Sequence, residues 1–165
     1  MNATSNMTIT RPTDRELLIE RSFDAPRDLV WKAFTEPERL AHWWGPTGWT
    51  LPHCTLDLRV GGRWHYCMRG PGGEESWGIA TYEEIDAPER LVYRDAFSDA
   101  DGGVNEAMPQ MRTVVEFVED AGRTTVRSTT TLDSAEQVDT LMEMGMAEGV
   151  TQTWDRLEEY LNTNR

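Results

Sequence analysis

The chain of 165 residues carries 29 acidic against 16 basic side chains, a net charge of −13 and a pI near 4.6, with 38% of its residues hydrophobic. That length fits one domain with a sizeable core, and two cysteines cannot build a disulfide scaffold. No apolar run reaches the roughly 18 residues of a membrane span, and the polar start from Met1 to Pro12 lacks the apolar segment of a signal peptide, so the cytoplasm is the expected compartment.

Residues 1–15 read as a flexible tail before a single domain over 16–165. Glu16 to Phe23 sets Leu17, Ile19, Arg21 and Phe23 on one face, an imperfect alternation that reads as a first strand. Asp24 then stands as a helix N-cap, with Pro26 in the first turn and Leu29, Val30, Ala33 and Phe34 at helical spacing. Thr35 to His42 repeats the pattern as a second short helix, which Trp43-Trp44-Gly45-Pro46 ends. Six strands follow: Thr50 to Leu58, Gly62 to Arg69, Ser76 to Asp86, Leu91 to Phe97, Gln110 to Val118 and Thr124 to Leu132. Turn residues such as Gly70-Pro71-Gly72-Gly73 and Asp101-Gly102-Gly103 separate them. Ser134 caps one long helix from Glu136 to Leu161, whose apolar residues from Val138 to Leu161 form a drifting stripe. An antiparallel sheet curled around that helix would close the core.

Charge and tryptophan are both unevenly placed. Residues 71–120 hold 13 acidic and 3 basic side chains, a local net of −10. Such a surface repels phosphate backbones, so neither nucleic acid nor an anionic membrane is an expected partner. Five of the seven tryptophans, Trp43, Trp44, Trp49, Trp64 and Trp77, fall within 35 positions, as in a core or a wall around a bulky ligand. On the strand from Gly62, Trp64, Tyr66 and Met68 share one face, opposite His65 and Cys67. On the long helix, Gly145 and Gly149 are four apart and would leave a bare patch bordered by Met142 and Met146.

Phe23-Asp24-Ala25-Pro26-Arg27, Val30-Trp31 and Trp43-Trp44-Gly45-Pro46 open a spaced series of matches. Asp57-Leu58-Arg59-Val60-Gly61-Gly62-Arg63-Trp64, Gly78, Pro88-Glu89-Arg90-Leu91-Val92 and the stretch from Gly149 through Trp154-Asp155-Arg156-Leu157 continue it. The series resembles the activator-of-heat-shock-protein-ATPase-like family of the START-like (SRPBCC) superfamily. That resemblance implies an α+β helix-grip fold: a curved antiparallel sheet wrapped around a long C-terminal helix, with two short helices after the first strand. It also implies an apolar cavity between sheet and helix. Where relatives often carry tryptophan after the helix glycine, this chain has Val150.

Catalytic and metal signatures are sparse. No serine or cysteine stands in a nucleophile-elbow context, and the Gly-Gly pairs lack the lysine of a phosphate loop. Asp99-Ala100-Asp101-Gly102 fails as a calcium loop because Val104 and Gln110 fall where glycine and glutamate are required. If a two-residue turn lies at Val60-Gly61, Cys54 faces Cys67 with His65 on the same side, a pair open to oxidation or metal binding. We therefore expect no catalytic residue, metal or cofactor. The leading expectation is a small hydrophobic partner, aromatic or polycyclic, bound by Trp44, Trp49, Trp64, Tyr66, Met68, Trp77, Met142, Gly145, Met146 and Gly149. The alternatives are a cyclase-like or hydrolytic enzyme using His65, Asp95 or Glu106, and a chaperone-binding protein, as the family name implies. Exposed aromatics near Trp43 and Trp44 could pair across a two-fold axis, which leaves homodimer and monomer both open.

Overall fold

The computed structural model describes residues 7–164. Its elements are β1 (Thr8–Thr10), β2 (Glu16–Phe23), α1 (Arg27–Thr35), α2 (Pro37–Leu40), β3 (Thr50–Leu56), β4 (Arg63–Arg69), β5 (Glu75–Asp86), β6 (Arg90–Phe97), β7 (Met111–Asp120), β8 (Arg123–Thr131), α3 (Ala135–Glu143) and α4 (Met146–Asn164). The eight strands form one antiparallel sheet in the order β1-β2-β8-β7-β6-β5-β4-β3. The helices cover its inner face, where alternate side chains of β2 and β8 are buried. This is the sheet-and-helix arrangement that the resemblance implies.

Packing follows from that alternation. Trp31 and Phe34 of α1 set their rings edge-on against Phe117 of β7, with centroids 5.5 and 5.2 Å away. Trp154 of α4 lies 5.9 Å from Phe23 of β2. Arg21, the position that made the first strand's pattern imperfect, is buried with its guanidinium 2.7 Å from Asp155 and 3.2 Å from Glu158. A cation in the core demands such partners, and here they tie β2 to α4.

Four expectations are corrected. The first concerns the tail: its residues 1–6 lie outside the described residues, but Thr8–Thr10 pairs with Leu18–Glu20 and Arg11 binds Asp139 at 2.9 Å. Alternation around Ile9 supplies a short edge strand. The second is the cap of α1, which is Pro26 without a side-chain bond, not Asp24. The proline carbonyl accepts from Leu29 and Val30 N–H, so the helix starts later.

The third is the β3–β4 register. Cys54 pairs with Tyr66, and His53 pairs with Cys67. The connection spans 57–62, with Gly61 at φ +83°, and a Cβ at Gly62 would collide with the Asp57 carbonyl. A one-residue slip reverses every side chain, so the two thiols point to opposite faces. Burial pushes both thiols up from their ordinary range. Among the described residues, no group of three or more His, Cys, Asp or Glu side chains is arranged to hold a metal ion.

The fourth is the terminal helix, which breaks between α3 and α4. Gly145 takes φ +84°, and its N–H donates to the Met142 carbonyl at 3.1 Å. This is a left-handed helix stop. The Ser134 cap stands as expected, accepting from the Gln137 N–H at 3.2 Å. No helix among the described residues is long and apolar enough to cross a membrane.

Candidate functional site

A cavity of about 320 Å³ lies between the inner face of the sheet and the α3–α4 segment. Tyr93 and Asp95 of β6, Thr113 and Val115 of β7, and Ser128 and Thr130 of β8 supply its sheet wall. The helical wall comes from Leu141, Met146, Gly149, Val150 and Trp154, and Trp44 and Pro46 close one end. The space exists because β8 turns short side chains inward; Thr113 and Thr130 hydroxyls satisfy one another at 3.3 Å. Gly149 adds to it, since a Cβ there would meet only Pro46, at 3.8 Å. Arg156 holds the Trp44 loop against α4, donating to the carbonyls of Gly45 at 2.7 Å, Pro46 at 3.2 Å and His42 at 3.3 Å.

A second cavity of about 160 Å³ adjoins the first, and both are lined by Met68, Asp95, Phe97 and Met111. Tyr66 stands in its wall opposite Gly78, where a Cβ would lie 2.5 Å from the tyrosine ring. A wider depression beside His42, Arg156 and Tyr160 is lined by polar residue types, with no aliphatic side chain among the described residues in its wall, unlike the apolar pockets that small-molecule sites use.

The ten expected site residues separate by position. Trp44, Met68, Met146 and Gly149 line the larger cavity, and Tyr66, Trp77 and again Met68 line the smaller one. Trp64 is buried behind Trp44, ring centroids 4.7 Å apart. Trp49, Met142 and Gly145 line neither cavity. Trp49 packs by Gly45, while Met142 and Gly145 face outward at the helix break. Trp43 is fully buried, its indole N–H donating to the Ala33 carbonyl at 3.0 Å. It therefore offers no surface for pairing two copies.

Among the acid–base candidates, His65 lies on the outer face of the sheet, with a ring nitrogen 2.9 Å from the Asp99 carbonyl, edge-on to His53 and tilted against Trp77. Glu106 is exposed in the β6–β7 connection. Asp99, from the rejected calcium loop, turns its carboxylate onto the N–H groups of Asp101 and Gly103 at 2.9 and 2.8 Å. Only Asp95 of the three enters the cavities. Its Oδ1 is buried without a hydrogen-bond partner, and burial pushes the carboxyl up to about 7 against the opposing effect of the Ala96 N–H. The Trp44 indole N–H faces the Tyr66 hydroxyl without closing a well-formed hydrogen bond.

Sequence reasoning did not find the hydroxyl wall of Thr113, Ser128 and Thr130. The signal was present in the inward positions of β8, which read Thr124, Val126, Ser128 and Thr130, too small to fill the space beneath a helix. The chemistry on offer is that of a container: apolar walls, a few hydroxyls and one carboxyl.

Known structures share this architecture. Protein Ms6760 from Mycobacterium smegmatis is 30% identical, with a TM-score of 0.86 over 94% of this chain and 96% of that one. A protein from Arthrobacter aurescens solved by NMR is 28% identical, with a TM-score of 0.87 over 96% and 93% of the two chains. One from Staphylococcus epidermidis is 30% identical, with a TM-score of 0.81 over 96% of each. No curated protein matches the chain. The family described as "Activator of Hsp90 ATPase homolog 1-like protein" matches residues 24–162. With a fold shared by its solved relatives and a family match over most of its length, the chain belongs to the activator of Hsp90 ATPase homolog 1-like family.

Proposed function

We propose that this protein binds a small hydrophobic molecule, aromatic or polycyclic, in the sheet–helix cavity without transforming it. The observation that carries the reading is the cavity itself: about 320 Å³, at the lower end of the roughly 300–1,000 Å³ of ligand sites. Aromatic walls from Trp44, Tyr93 and Trp154 suit flat ring systems, which prefer offset or edge-on packing. Catalysis is not favoured, since among the described residues lining either cavity Asp95 has no second carboxylate, histidine or thiol beside it. Acid–base work on a bound substrate usually divides between two such groups.

A titration with 2-(1-naphthyl)ethanol tests the reading, because Trp44 and Trp154 in the wall make quenching a direct readout. The wild type is expected to show saturable quenching. Val150→Trp, which extends an indole into the same space, is expected to lose it while keeping its helical and sheet circular dichroism. Equal binding by that variant, or no binding by the wild type, overturns the proposal.

A further inference from the structure

Resting on the cavity as a ligand site, we infer that the ligand is a cation: an aromatic amine whose ammonium group pairs with Asp95 while its rings fill the apolar chamber. Three observations converge. Among the described residues, Asp95 is the only charged side chain lining either cavity, and its buried Oδ1 has no hydrogen-bond partner. A carboxylate so placed lacks what nearly every buried charge has, a counter-charge. An apolar ligand would fill volume and leave that atom unpaired; an anionic one would add repulsion.

The surroundings of Asp95 are aromatic. It stands where the two cavities adjoin, between Tyr93 and Phe97 on its own strand, with Trp44 in the wall of the larger cavity and Tyr66 and Trp77 in that of the smaller. Aromatic faces around an anionic centre attract ammonium groups through the ring quadrupole as well as through charge. A buried ion pair alone roughly offsets its own desolvation, so the rings decide in favour of binding. The third observation is long-ranged: the net charge of −13, of which −10 falls in residues 71–120, the sequence segment that holds Asp95, gives a field that draws cations and repels anions.

The titratable groups near Asp95 are Tyr66 on β4, Tyr82 on β5 and Tyr93 on β6, each held protonated above its ordinary range by burial. In the larger cavity, β7, β8 and the helices present Met111, Thr130, Leu141 and Met146, which do not titrate. The pH response of binding through the neutral range therefore belongs to Asp95.

Calorimetric titration with 2-(1-naphthyl)ethylamine, 2-(1-naphthyl)ethanol and 1-naphthylacetate decides the matter. The amine is expected to bind about tenfold or more tightly than the alcohol near pH 8. That advantage should shrink about tenfold near pH 6 as Asp95 takes up its proton, with the alcohol indifferent to pH and the acetate weakest. Asp95→Asn, checked for folding by thermal unfolding, should remove the preference for the amine. If the alcohol equals the amine at both pH values, or if Asp95→Asn keeps the preference, the cationic ligand is refuted and the cavity reading survives. If none of the three binds, both fall.

Discussion

At the scale of the residue, Asp95 opposes folding at every pH above the ordinary carboxyl value. Its folded pKa of about 7 stands above the ordinary 3.8. Between those values the unfolded chain has released a proton that the folded chain keeps, so stability falls as pH rises. Below the ordinary value both states are protonated, and the cost vanishes; above about 7 it is complete. Asp95→Asn is expected to raise stability near pH 8 by about 2–4 kcal/mol, with the gain fading to nothing near pH 4. Urea unfolding across that range checks it, and a gain independent of pH would contradict the burial of an ionisable Asp95. Residue type alone placed Asp95 beside His65 and Glu106 as an acid–base candidate. Only the topology separates them: His65 lies on the outer face of β4, and Glu106 lies in a loop.

At the scale of the element, two glycines four positions apart do different work. Gly145 holds φ +84° at the end of α3, where a side chain is strained whatever the space. Gly149 lies inside α4 with ordinary helical backbone and open space beside it. Gly145→Ala is expected to destabilise by about 1 kcal/mol, and Gly149→Ala to stabilise by up to about 1 kcal/mol. Denaturant midpoints read both, and the same sign for the two would refute the helix break.

The break was hidden in the sequence because the apolar stripe runs through it. Leu141, Met146 and Val150 all reach the larger cavity, so periodicity continues while the hydrogen-bond ladder stops. The β3–β4 hairpin failed for another reason. Its alternation located both strands within two residues at each end, but the register depends on the connection, whose length shows only in the fold. Ser134 and the strand pattern were legible because capping and alternation are local. The cavity wall on β8 was not, because an inward threonine shapes a void only once a helix lies above it.

At the scale of the whole molecule, an eight-stranded sheet and its covering helices leave an unfilled space lined by aromatic rings, with one carboxyl at its edge. Tryptophans that looked alike in sequence divide between core and wall: Trp43 and Trp64 are buried in packing, while Trp44 reaches the cavity. Acidic residues gather on exposed positions such as Glu74, Glu83 and Asp101, giving the surface its sign. Mapping backbone amide shifts during addition of 2-(1-naphthyl)ethylamine tests the central claim most directly. Shifts concentrated at Trp44, Asp95, Thr130, Gly149 and Val150 are the expected result. Shifts confined to the outer face around His53, His65 and Trp77, or to the depression beside Tyr160, would contradict it.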